Sequence, residues 1–128
     1  MLSLRQLKRS GTRGGRGEYE VDPVEFGTLV TLFANTKGKD ETKMLLRSVL
    51  TNREMADIVR RIKIARWLQR GMTYDQIAEL TDAGRTTIAL VGNALKSNGG
   101  IFERILHRTP QILSPIERSI LSRLKRGK

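Results

Sequence analysis

Apolar residues recur along this chain at spacings of three and four, so the pattern predicts helices throughout and no strand. Val24, Leu29, Val30, Leu32 and Phe33 mark a first apolar face that runs to about Ala34. Asp22 is placed to cap that helix, with Pro23 at its first position. The stretch Asn35-Thr36-Lys37-Gly38 breaks it, and a second short helix is expected from Asp40, with Met44, Leu45, Val49 and Leu50 as its face. Thr51 is placed to cap a third helix, which runs to about Arg70 and stops at Gly71. That third helix has the most regular period, through Met55, Ile58, Val59, Ile62, Ala65 and Leu68, and this is the face expected to be buried. Trp67 falls outside the stripe, so it is expected to pack on another helix or on a partner subunit. Arg53, Arg60, Lys63 and Arg70 line a stripe of their own, read as a solvated face.

Residues 72–96, MTYDQIAELTDAGRTTIALVGNALK, follow as two short helices around an Asp82-Ala83-Gly84 turn. Thr73 caps the first, which runs to about Thr81, and the second spans Arg85 to about Lys96. Ile77, Ala78 and Leu80 put small and apolar groups on the first helix, and the small Ala78 permits a close crossing. Ile88, Val91 and Leu95 are the inward face of the second. This is the pattern of a helix-turn-helix spanning 73–96, whose second helix can enter the major groove of DNA. Arg85 is then placed for a guanine edge, and Thr86 and Thr87 for phosphates or a thymine methyl. Asn93 faces outward, Thr73 and Lys96 stand where the DNA backbone would pass, and Tyr74 is counted with them as a DNA-binding residue. The turn usually carries Gly where this chain has Asp82, and Asp tolerates the left-handed conformation required there.

Beyond Asn98-Gly99-Gly100, Ile101, Ile105 and Leu106 predict a short helix that stops before Pro110. Ser114-Pro115-Ile116-Glu117 is a capping box that opens a last helix, with Ile116, Ile120, Leu121 and Leu124 on one face and Arg118, Arg123, Lys125 and Arg126 making it basic. That face packs on the rest of the protein or lies on a membrane surface, and its narrowness favours packing.

Charge sharpens the picture. The chain of 128 residues has 24 Lys+Arg and 13 Asp+Glu, a net charge of +11. The excess sits at the ends: residues 1–17 and residues 101–128 each carry +5, and the stretch between them +1. Basic ends on a near-neutral centre point to a polyanion, most often nucleic acid. Ser10–Gly17, SGTRGGRG, reads as part of a flexible basic arm over 1–20 that tracks phosphates or stacks on bases, or has no role. The chain has no Cys and a single His, His107, so thiolate metal sites and two-imidazole sites are ruled out, and no catalytic constellation, metal site or cofactor is expected. No apolar run is long enough to span a membrane and no secretory signal is expected, so the protein is placed in the cytoplasm, at the nucleoid, with no membrane partner.

A family resemblance rests on Leu50-Thr51, on Arg60 to Leu68 (RRIKIARWL), and on Gly71-Met72-Thr73-Tyr74. Ala83-Gly84, Thr87-Ile88 and Asn93-Ala94-Leu95-Lys96 complete it. Across Leu50–Lys96 the chain resembles the Trp repressor family, most closely its YerC/YecD branch. The resemblance implies an all-α fold over 21–108, an intertwined homodimer, and regulation of transcription by sequence-specific binding to double-stranded DNA. The arm and the helical segment 109–128 are additions to that core. In the family's effector pocket, Arg61 and Thr51 match the first arginine and the threonine. Leu90 stands where the second arginine would be and Ala94 where the serine would be, and the loop after Gly71 is a residue shorter. With half of the polar recognition gone, tryptophan is not the expected effector, and no other is identified. The alternative reading is a sequence-independent nucleic-acid binder, architectural or ribosome-associated, working through its basic ends.

Overall fold

The computed structural model describes residues 12–13 and 19–126. Seven α-helices follow one another among them: α1 Pro23–Ala34, α2 Gly38–Val49, α3 Asn52–Gln69, α4 Tyr74–Thr81, α5 Arg85–Lys96, α6 Ile101–Arg108 and α7 Pro115–Arg126. The fold is all-α, as the periodicity predicts. One departure from it is a two-residue antiparallel ladder of β1 (Thr12–Arg13) with β2 (Tyr19–Glu20). The rest of the basic arm lies outside the described residues.

Capping chemistry sets most of the helix starts. Asp22 Oδ2 accepts from the backbone N–H groups of Val24 and Glu25 at 3.0 and 3.1 Å. Reciprocal capping boxes open three further helices: Thr51 with Glu54, Thr73 with Gln76, and Ser114 with Glu117. Each satisfies two backbone donors that a bare first turn would leave unpaired. The second helix starts at Gly38 rather than at Asp40, with Lys37 as its cap residue.

The chain divides into two compact units, Met1–Met55 and Ala56–Lys128. In the first, no residue of α1 or α2 is buried: Val24 is 77% exposed, Phe26 54% and Met44 70%. The second has a core of Ile64, Ala65, Trp67, Ile77, Ala83, Ile88, Val91, Leu95 and Leu106. Leu68, Met72, Ala78, Leu80, Phe102, Leu113 and Leu121 pack around it. The core is thus built from α3, α4, α5 and α6, with α7 leaning on it through Leu121.

The buried face of α3 is not the predicted one. Ala65 and Leu68 do turn inward, but Ile58, Val59 and Ile62 are exposed. Ile64 and Trp67 take the central places instead, and Trp67 is 1% exposed within its own chain. Helix α3 carries two apolar faces, and the more regular one is not the one this unit buries. Ile105 and Ile116 likewise remain exposed, whereas Phe102, which the apolar period does not single out, packs on the core.

Candidate nucleic-acid interface

Two helices and a turn build the interface. Helix α4 ends at Asp82, which is left-handed at φ 60° and ψ 21° and donates its N–H to the Ala78 carbonyl at 2.9 Å. Asp82 thus takes the left-handed conformation that the turn requires. Ala83, next in the turn, is buried in the core and holds the corner down. Gly84 then leads into α5 in extended backbone, with no side-chain cap. The first N–H groups of α5 are left without a side-chain acceptor, and the helix dipole adds partial positive charge there.

Helix α5 is divided lengthwise. Ile88, Val91 and Leu95 are buried, and Thr87, Ala89 and Gly92 are half-buried along the flanks. Arg85, Thr86, Leu90, Asn93, Ala94 and Lys96 are exposed. A Cβ on Gly92 would stand 3.7 Å from Leu68 Cδ1 and 3.8 Å from the Tyr74 hydroxyl. So α5 passes close to Leu68 of α3 and Tyr74 of α4 at Gly92, while Ala78 is half-buried against the core.

Most of the predicted DNA-facing residues come together on this unit. Arg85 and Thr86 open α5 on its exposed side, and Asn93 and Lys96 continue that side toward the C-terminus. Thr87 turns partly inward. Thr73 Oγ1 accepts from the Gln76 N–H at 3.2 Å, which leaves the hydroxyl proton for another acceptor. Tyr74, 40% exposed, lays its hydroxyl over α5 beside Gly92 and so braces the second helix. The Arg85 guanidinium is already engaged, by Asp75 in the first turn of α4.

The two residues matched to an effector pocket stand in different units. Thr51 caps α3: its hydroxyl accepts from the Glu54 N–H at 3.1 Å, and its own N–H donates to Glu54 Oε1 at 2.8 Å. The Thr51 N–H, and after it the Thr51 hydroxyl, favour the charged form and hold the Glu54 carboxyl below its ordinary value. Arg61 is exposed on α3.

Several polar ties are not visible in the sequence. Arg66, between the buried Ala65 and Trp67, donates to the carbonyls of Leu106, at 2.8 Å, and Thr109. It thereby caps the C-terminal end of α6, where a cation also meets the negative end of the helix dipole. Gln69 Nε2 donates to the Glu103 carbonyl at 3.1 Å. The basic stripe of α3, Arg53, Arg60, Lys63 and Arg70, is exposed as expected, and two of its members also make ties across the surface. Lys63 pairs with Glu117 at 3.6 Å, and Arg70 bonds Gln111 while its guanidinium lies 5.7 Å from the Trp67 ring centre. The segment leading into α7 is thus tied to α3, and α7 flanks α4 across a cleft of about 400 Å³ lined by Gln76, Glu79, Leu80, Ile120, Arg123 and Leu124. A cation within a run of apolar helix residues, followed later by a helix stop, is the signal that would have pointed to Arg66.

Among the described residues no helix is long and apolar enough to cross a membrane, and no group of three or more His, Cys, Asp or Glu is placed to hold a metal ion. No curated protein and no solved structure matches the chain. Residues 25–110, well over half of the chain, match the family model of the Trp repressor protein. The match covers the helix-turn-helix with its divided α5 and all of α2, α3 and α6, and on it the chain belongs to the Trp repressor family of DNA-binding helix-turn-helix regulators.

Proposed function

We propose that the protein is a sequence-specific regulator of transcription, repressor-like, that binds double-stranded DNA as an intertwined homodimer with α5 in the major groove. The observation that carries this reading is the division of α5. Its inner side is locked by Ile88, Val91 and Leu95, while its outer side presents Arg85, Thr86, Asn93 and Lys96 at the uncapped end and along the groove-sized face of a rigid helix. Arg85 reads a base edge, Thr86 and Thr87 serve the bases or phosphates at the helix entry, Asn93 lies farther along the groove, and Thr73, Tyr74 and Lys96 hold the backbone.

The homodimer has its own support. Val24, Phe26, Leu29, Val30 and Leu32 of α1, with Met44 and Val49 of α2, are exposed. Apolar surface of this extent marks a protein–protein contact, and a twofold pair of reading heads would enter successive major grooves about 34 Å apart. The binding core is 21–108 and belongs with the YerC/YecD branch, while the 1–20 arm and the 109–128 helix add phosphate contacts and packing. Thr51 caps a helix, and Leu90 and Ala94 present no polar group, so regulation does not run through tryptophan. The protein acts at the nucleoid as a binding protein rather than as an enzyme.

Selection of bound duplexes from random DNA with the full chain, at two salt concentrations, tests this reading. A palindromic motif with half-sites one helical turn apart, retained at the higher salt, is the expected result. Binding without an enriched motif, lost as salt rises, would replace it with the sequence-independent binder, whose affinity comes from the basic ends.

A further inference from the structure

Leu90 is misplaced for a residue of its kind. Of the large apolar side chains of α5, Ile88, Val91 and Leu95 are buried, yet Leu90 is 63% exposed. It is the sixth residue of the helix, and its neighbours one turn away on the same side are Thr86, Asn93 and Ala94, all exposed. It therefore sits midway along the helix on the flank of the outward face, one turn from Thr86 and Asn93 and beside the small Ala94.

We propose that Leu90 is a specificity-determining residue that selects thymine by packing on its 5-methyl group in the major groove. This rests on the reading of α5 as the groove-entering helix. A leucine side chain has no donor or acceptor, and among the groups that base pairs present in the major groove the thymine methyl is the apolar one. Against a G·C pair, Leu90 would cover the guanine O6 or the cytosine N4 amino group and return no hydrogen bond, and burying a polar group unpaired is costly. Attraction to the methyl and exclusion of the other edges act in the same direction. Lys96, assigned to the DNA backbone, and Arg85, assigned to a base edge, fix the register in which Leu90 meets a base.

The experiment uses the full chain and the duplex obtained by selection. Each thymine of a half-site is replaced singly by deoxyuridine, which deletes the methyl and keeps the pairing, and Kd is measured for the wild type and for Leu90→Ala. Leu90 lies outside the core, so the variant keeps its fold, which circular dichroism checks. At one or two thymines, deoxyuridine is expected to weaken the wild type about fourfold, the equivalent of about 0.8 kcal/mol for one buried methyl group. The same replacement should leave Leu90→Ala within about 1.5-fold, because the partner of the methyl is already gone. The proposal is overturned if no thymine in the motif responds, or if Leu90→Ala responds as the wild type does. Either of those results leaves sequence-specific binding standing, whereas a selection that yields no motif removes both.

Discussion

Arg85, the first residue of α5, and Asp75, the second residue of α4, form an ion pair across the helix-turn-helix, with both side chains more than two-thirds exposed. An exposed pair of this kind contributes about 0.2–1 kcal/mol at most. Its weight lies in where it stands. Asp75 occupies the guanidinium of the residue proposed to read a base edge, and it puts a negative charge on the side of the protein proposed to meet phosphates. Nonspecific DNA must compete with Asp75 for Arg85, whereas a correct base offers two acceptors at once. Asp75→Asn is expected to tighten binding to a scrambled duplex by up to about fivefold and to change binding to the selected site less. The ratio of the two affinities is the measurement. Unchanged binding to both duplexes would mean that the pair does not bear on recognition.

Arg85→Ala is expected to relax preference at a single base pair of each half-site, by about 1–3 kcal/mol. Selection repeated with the variant reads this directly. A uniform loss across all sequences would assign Arg85 to a phosphate.

Arg66→Ala removes the guanidinium that satisfies two carbonyls at the C-terminal end of α6, those of Leu106 and Thr109. Hydrogen bonds from a charged donor are worth about 1.5–3 kcal/mol when removed, and the stem of Arg66 is half-buried beside Trp67. The midpoint of urea unfolding should fall accordingly. Trp67 is the single tryptophan, so its fluorescence follows the transition from the core itself. No change in midpoint would mean that water replaces the guanidinium at both carbonyls.

The Thr51–Glu54 capping box carries a pH dependence of known sign. The Glu54 carboxyl titrates below its ordinary value because the Thr51 N–H and hydroxyl favour the charged form. A group with a depressed folded pKa contributes its stability above the unfolded pKa and loses it as pH falls through the folded one. The start of α3 should therefore fray as the solution is acidified through and below the carboxylate range, and Glu54→Gln should flatten that dependence. Amide hydrogen exchange at residues 52–55 in both proteins checks this, and equal pH profiles would count against it.

Deleting residues 1–17 removes five cations and no acid. If they meet phosphates, the slope of log K against log salt should shallow by up to about 0.9 for each phosphate no longer neutralised, with the selected motif unchanged. An unaltered slope would show that the arm is clear of the DNA.

Much of the site is legible before any tertiary contact. The ends of α4 and α5 fall at Tyr74–Thr81 and Arg85–Lys96 because a capping box, a left-handed aspartate and a glycine are local devices that act within four residues. The inward triplet Ile88, Val91 and Leu95 follows from period alone, since α5 has a single strong apolar face. Period could not decide α3, which has two. Ile58, Val59 and Ile62 repeat more regularly, yet Ile64 and Trp67 are the residues that join Ile77, Ile88 and Leu95 in the core. Which face is buried depends on what stands opposite it, and that is set by elements distant in the chain. The bonds from Arg66 to carbonyls 40 and 43 residues onward, and from Lys63 and Arg70 to the segment entering α7, are of the same kind. A charged side chain reads as solvated in sequence because its partner is a backbone carbonyl, a glutamine or a glutamate distant in the chain, and only the folded chain brings the two together.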